Sequence, residues 1–346
     1  MTSPTTRTDP PVTGGPAIPA TMRAATQHRY GRPEDVVAVA EVAVPEPGPS
    51  DVLVQVKAAS VNAADWHLTT GLPMFARAAL GLRRPKRTLV GSDMAGIVVA
   101  TGTDVTRFQP GDEVFGQVEG GAFAEYVAAP ADWLVAKPKG SSFEEAATLG
   151  IAAVTALQGL RDWGRLQEGQ RVLVNGASGG VGTFAVQIAK ALGAGHVTAV
   201  CSSGNVETAA RIGADCVVDY TREDHSRSGE QYDLVFDNAG VWPLRSCGRM
   251  LTDGGSYVMV TSPKSRWLHP LPRMIANPLY FAFAQGRGPG FKVATRNTAD
   301  LEQLRELVEQ GLVKPVLERR FALEEAAEAL RVQGEFHARG KSVILP

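Results

Sequence analysis

Arg171-Val-Leu-Val-Asn-Gly-Ala-Ser-Gly-Gly-Val-Gly182, continued by Thr183-Phe-Ala-Val-Gln-Ile-Ala-Lys-Ala-Leu-Gly193, decides how this chain is read. Val172 to Val174 make a short apolar run, the mark of a buried strand. The glycine cluster then turns the chain into a helix with Val181, Ala185, Ile188, Ala189 and Leu192 on one face, and Gly193 is placed to end it. Strand, glycine turn and helix in that order make a dinucleotide fingerprint credible. Ala177 stands where the first glycine of G-x-G-x-x-G belongs, Gly179 is the second and Gly182 the third. A side chain at 179 would hold a pyrophosphate away, and one at 182 would push the helix off the strand. The backbone at Ser178, Gly179, Gly180 and Val181, with roughly half a positive charge at the helix start, suits phosphates.

At 346 residues the chain is long enough for two domains, each with its own core. Its 44% hydrophobic and 21% charged residues match a soluble globular protein. A formal net charge of -1 gives no reason to expect binding to nucleic acid or to anionic membranes. Cys201, Cys216 and Cys247 are scattered, with neither a disulfide framework nor paired metal-ligand spacing, so a reducing cytoplasm is the expected compartment. No apolar run approaches the roughly 20 residues of a membrane span. Residues 1–21, rich in Thr, Pro and Gly, read as a disordered tail without the apolar segment of a signal peptide.

Upstream of the glycine turn, strand-like runs recur at Met22 to Thr26, Val36 to Val42, Asp51 to Lys57, Gly91 to Gly102, Phe108 to Gly116 and Gly121 to Val127. Short strands at regular spacing predict a barrel-like unit. Near Ser142 the pattern changes: Ser142-Phe-Glu-Glu145 reads as a capping box, followed by a helical stretch from Ala152 to Trp163. From Arg171 strands alternate with helices, which predicts a parallel doubly wound sheet. Helices are expected over 301–310 and from Phe321 to Leu330, and a strand from Gly340 to Leu345. That last segment is expected to return to the barrel.

The order of the barrel motifs, Ala177-Ser-Gly-Gly-Val-Gly182, Arg211-Ile-Gly-Ala-Asp215 and the closing Gly340-Lys341 strand resembles the medium-chain dehydrogenase/reductase superfamily, in particular its zinc-independent quinone oxidoreductase branch. The likeness runs from Met22 to Pro346. It implies an α/β fold, with a Rossmann doubly wound parallel sheet at 144–297 and a discontinuous GroES-like β-barrel domain made of 22–143 and 298–346. It also implies a homodimer. Zinc-dependent relatives carry a Cys early in the barrel and a Gly-His-Glu motif later, where this chain has Val61-Asn-Ala-Ala-Asp65 and Gly91-Ser-Asp93. Asp65, His67 and Asp93 offer only an improvised metal set, so no zinc is expected. Without a Lewis acid to stabilise an alkoxide, reduction of a quinone or an activated alkene is the expected chemistry.

For the nicotinamide, the strand after the glycine helix ends at Ser202-Ser203-Gly204-Asn205, where an NAD-selective site places a carboxylate. Hydroxyls and an amide donate to a 2′-phosphate instead, which favours NADPH over NADH. The resemblance matches Tyr220 to a Tyr of NADPH-using relatives, which often have Arg or Lys where Gly204 stands; Arg222 is a candidate to compensate. It also places Thr155 near the nicotinamide, Asn238 along the ribose or nicotinamide, and Lys341 near the cofactor phosphate.

On the substrate side, Asn62 matches the family's Ser-Val-Asn motif, whose amide lies beside the nicotinamide. An amide orients the cofactor or donates to a substrate oxygen. His67 is the candidate proton source. Enoyl-thioester reductases use a Tyr here, and none occurs between Tyr30 and Tyr126, so quinones, enones and 2-alkenals are the expected acceptors. A zinc-free carbonyl or alcohol dehydrogenase and a non-catalytic NADPH-binding protein are the alternatives. Residues 264–283, apolar and basic with three prolines, are expected to form a lid or a subunit contact.

Overall fold

A computed structural model describes residues 18–260, 276, 290–335 and 338–346. The expected tail lies outside these up to residue 17, as does the 264–283 segment apart from Ala276. Two sheets carry the architecture. The first comprises β3 (Asp51–Ser60), β4 (Asp93–Thr101), β5 (Glu113–Gln117), β6 (Tyr126–Pro130), β7 (Leu134–Ala136), β14 (Leu317–Ala322) and β15 (Lys341–Leu345). Its order is β14-β15-β3-β4-β5-β7, with β6 also on β3. The C-terminal strand β15 thereby pairs antiparallel with β3, in the register Val343 to Ser60 and Ile344 to Ala59. A small β1 (Thr21–Gln27) and β2 (Val37–Ala43) hairpin-like pair lies beside it.

The second sheet has the order β10-β9-β8-β11-β12-β13, every pair parallel. Its strands are β8 (Arg171–Asn175), β9 (His196–Cys201), β10 (Cys216–Asp219), β11 (Tyr232–Asp237), β12 (Leu251–Met259) and β13 (Gly290–Phe291). The order reverses between β8 and β11, and the crevice at the carboxyl ends of those strands is where such sheets bind ligands. The helix Gly180–Ala191 returns from β8 and buries Phe184, Ala185, Ile188 and Ala189 completely. Full burial of Phe184 or Ile188 stabilises by about 1.5–3 kcal/mol each.

Ser142 caps the helix Phe143–Ala147 as its sequence predicts, its Oγ accepting from the Glu145 N–H at 3.1 Å while Glu145 Oε2 accepts from the Ser142 N–H at 2.9 Å. The helical stretch expected from Ala152 to Trp163 is present, with a short α-helix, Val154–Gln158, between two wider π-helical segments, Leu149–Ala153 and Gly159–Trp163. Phe321 also departs from expectation. It belongs to the edge strand β14, and the helix there is Ala326–Gln333. The charges of Glu318, Arg319 and Arg320 hide the strand pattern, as edge strands commonly do. The helix Thr298–Glu309 packs Leu301, Leu304 and Leu307 into a core shared by the parallel sheet and by Phe115 of β5 and Val135 of β7.

Candidate active site

The glycine turn is built as its sequence predicts, with one reassignment. Gly176, at φ 78°, makes the left-handed turn that the fingerprint asks of its first glycine, one position before Ala177. A Cβ on Gly182 would overlap the Gly176 carbonyl oxygen and the Ala177 backbone, so helix and strand meet there without room for a side chain. A Cβ on Gly179 would have nothing nearer than Asn238 Nδ2 at 4.0 Å. That open face, at the start of the helix Gly180–Ala191, fits a pyrophosphate. The turn is fixed from behind: buried Asp237 accepts from Asn175 Nδ2 and the Gly240 N–H, each at 2.8 Å, and from the Tyr257 hydroxyl at 2.7 Å. Asn238 donates its backbone N–H to Asn175 O at 2.9 Å and its amide to Gly176 O at 3.4 Å.

The C-terminal strand reaches this turn. Gly340 forms a parallel bridge with Gly179. Arg339 lies over Gly204, where a Cβ would stand 3.4 Å from a guanidinium nitrogen. At the end of β9 the two serines are already engaged. Ser203 donates to Asp219 Oδ2 at 2.5 Å, and Asn205 Nδ2 donates to Ser202 Oγ at 2.9 Å. Asp219 ends the adjacent strand in register with Cys201, a proximity that no local sequence pattern signals. Hydrogen bonds from Ser203 and Thr221 hold its carboxyl below the usual range. Arg222 pairs with it at 3.3 Å. Tyr220 is exposed beside them.

The second half of the site lies where β3 ends. Asn62 caps the helix Ala63–Thr70, donating its N–H to Asp65 Oδ2 at 2.9 Å. Its amide donates to Ser60 O at 3.2 Å and to Asp93 Oδ2 at 2.9 Å. Asp93 Oδ2 also accepts from the Ile151 N–H at 2.9 Å, and Ser92 donates to Asp65 Oδ1 at 2.6 Å. Lys341, expected beside the phosphate, passes its stem under Gly180 and ends here: Nζ donates to Val61 O at 2.8 Å and to Asn62 Oδ1 at 2.5 Å. A Cβ on Gly150 would overlap Asp93 Oδ1, so the kinked backbone there makes room for the carboxylate.

Asn62, Asp65, Asp93 and Lys341 are all buried. Two carboxyls against one ammonium leave the cluster short of positive charge, and burial favours neutral forms. Burial lifts the Asp93 carboxyl to about 7, against the pull of Lys341 and with the push of Asp65. Burial lowers the Lys341 ammonium to about 8, against the attraction of both carboxylates. Burial also raises Asp65. Asp93 Oδ1 has no hydrogen-bond partner among the described residues, and a retained proton would reside there.

Asp65, Ser92 and Ile151 also line a cavity of about 450 Å³. Its walls include Leu68, Leu80, Leu89 and Val90, with Tyr30 and Gln117 as polar points. At its mouth Arg87 pairs with Glu119, as does Arg296 at 3.1 Å. His67 is not brought to this wall. Its Nδ1 lies 2.8 Å from Leu72 O and its ring meets Trp66 edge-on at 5.0 Å. Thr155 donates to Ile151 O at 2.7 Å, which leaves its hydroxyl as an acceptor.

Comparison with known proteins agrees with this layout. Residues 48–139 match the alcohol dehydrogenase GroES-like domain, and residues 212–344 match the family described as zinc-binding dehydrogenase. A quinone-oxidoreductase homolog of chloroplasts from Spinacia oleracea is 33% identical over 338 residues, covering 94% of this chain and 98% of the relative. The chain belongs to the medium-chain dehydrogenase/reductase family, in its quinone oxidoreductase branch. This family member is also 32% identical to an NADPH-dependent alkenal/one oxidoreductase of Arabidopsis thaliana, covering 97% of this chain and 82% of that one. The solved quinone oxidoreductase of Coxiella burnetii superimposes with a TM-score of 0.81 at 27% identity, over 94% and 99% of the two chains. The protein is therefore an oxidoreductase using a nicotinamide cofactor.

One family feature does not fit. Zinc needs deprotonated N, S or O ligands gathered around it. Here the Lys341 ammonium is held by Val61 O and Asn62 Oδ1, and Asp93 is joined to it through the Asn62 amide, so a cation already occupies the Asn62 stretch. Among the described residues no three His, Cys, Asp or Glu side chains gather as a metal set.

Proposed function

We propose that this protein is an NADPH-dependent reductase of quinones or activated alkenes, the enones and 2-alkenals, and that it works without zinc. The observation that carries the reading is Lys341 Nζ on Asn62 Oδ1, a cation on the stretch where zinc-dependent relatives carry their cysteine. Oxidation of a simple alcohol loses most from that arrangement, because the alkoxide has no Lewis acid. Conjugated acceptors spread the developing charge over their own atoms, and the largely apolar cavity suits them. NADPH when bound supplies the hydride; the protein's part is to position the ring and keep water from the acceptor. The names of the spinach and Arabidopsis relatives support the same acceptor classes.

Support for NADPH comes from Arg339, whose guanidinium over Gly204 provides the cation that relatives carry at that position. A charged donor gives the stronger phosphate bond. Asp219 opposes a 2′-phosphate, and Arg222 offsets it. The scattered cysteines and the family resemblance support a cytoplasmic homodimer. The test is NADPH oxidation across quinones, enones, 2-alkenals, enoyl thioesters and aldehydes, with NADH in parallel. Turnover of the first three classes is expected. Binding of NADPH with no turnover of any, or activity that requires stoichiometric zinc, overturns the reading.

A further inference from the structure

The amide of Asn62 has no donor left for a substrate. Its two N–H groups go to Ser60 O and Asp93 Oδ2, and its oxygen accepts from Lys341. Chemistry fixes the amide's orientation: an ammonium has only donors and a carboxylate only acceptors, so a flipped amide would lose both contacts. What Asn62 presents to a bound cofactor is the remaining lone pair of an oxygen held by a cation.

We propose that Lys341 is a positioning residue that provides, from inside the chain, the positive charge that a metal provides in zinc-dependent relatives, and that it acts through Asn62 on the nicotinamide. The inference rests on the reductase reading above. Three elements converge to build the device. The Asn62–Asp65 turn and β4 bring the polar and acidic partners, and β15 brings the cation. The helical segment Leu149–Ala153 adds no ionisable side chain, only the Ile151 N–H on Asp93. Asp65, Asp93 and Lys341 are thus the charged groups that face one another. A buried ammonium surrounded by acceptors is costly unless it is paired, so its retention at 4% exposure favours a role beyond packing.

The test uses the full chain with NADPH and compares Lys341→Met, Asp93→Asn and the double variant. Lys341→Met is expected to lower kcat by about 30-fold, the size of one charge-assisted hydrogen bond, with NADPH affinity changed by less than about threefold. The double variant, whose charge sum in the cluster equals that of the wild type, is expected to regain the wild-type melting midpoint and not the rate. Recovery of both midpoint and kcat would show that Lys341 only balances charge, and overturns the proposal. Should Lys341→Met not fold, the double variant decides alone. Absence of wild-type turnover sinks the reductase reading instead. The fluorescence emission of bound NADPH then decides the positioning role: a shifted maximum in the double variant supports it, and an unchanged one overturns it.

Discussion

Gly340 is bridged to Gly179, and its two neighbours leave the glycine turn in different directions. Arg339 covers Gly204 at the end of β9, whereas Lys341 runs beneath Gly180 to the Asn62 amide. Residues two apart in a regular strand share a face; Gly340, at φ 112°, breaks that regularity between Arg339 and Lys341 and lets them diverge. One closing strand therefore serves both ends of the cofactor crevice.

Arg339→Ala isolates the phosphate end. Loss of a charged hydrogen bond costs about 1.5–3 kcal/mol, so NADPH affinity is expected to fall roughly 10- to 150-fold. NADH affinity should stay within about twofold, since no 2′-phosphate is present to lose a partner. Fluorescence titration with both cofactors measures this. An equal loss for the two would assign Arg339 to loop structure.

Gly182→Ala tests the turn itself. Its Cβ would overlap the Gly176 carbonyl and the Ala177 backbone, neither of which moves as a flexible side chain would. Overpacking of this kind destabilises by about 1–3 kcal/mol. Chemical denaturation should show that loss, together with weakened binding of both NADH and NADPH. Wild-type stability would mean that the helix lifts from β8 freely.

The glycine turn, the alternation of strand and helix, and the capping box at Ser142 were legible because each is a local pattern with a local cause. Asp219 and Arg339 were not. Asp219 reaches Ser203 only through the parallel register of β9 and β10, and Arg339 reaches Gly204 across 135 positions of chain brought together by the Gly179–Gly340 bridge. The Lys341 partner was hidden for the same reason: Asn62 and Lys341 lie 279 positions apart in sequence. The family resemblance named Lys341 and gave no direction for its side chain. His67 shows the reverse case, a residue of suitable chemistry whose helix position turns it from the cavity wall.

His67→Gln follows from that placement. An amide retains a polar group near Leu72 O, and the ring is not at the cavity wall. General acid catalysis contributes typically about 10²–10⁴-fold, so its loss would be unmistakable. The expected change in kcat is instead within about threefold, with the same pH profile as wild type. A loss of about a hundredfold would restore His67 as the proton donor.

Asp93→Asn reads the buried charge through pH. The folded-state pKa of Asp93 is raised to about 7, so its protonated form contributes stability at low pH. That contribution is fully present below the unfolded value near 3.8 and is lost as pH rises through about 7. Lys341, lowered to about 8, acts in the opposite sense: its contribution is present above 10.5 and lost as pH falls through about 8. The cluster is therefore least favourable between the two, near neutrality. Asp93→Asn removes the first of these effects and leaves one carboxylate against one ammonium. Relative to wild type, the variant should gain stability when the comparison moves from pH 5 to pH 8. Urea denaturation at the two pH values measures the difference, in which titrations elsewhere in the chain cancel. An unchanged difference would mean that Asp93 keeps the same protonation state throughout, and would remove it as the proton-holding member of the cluster.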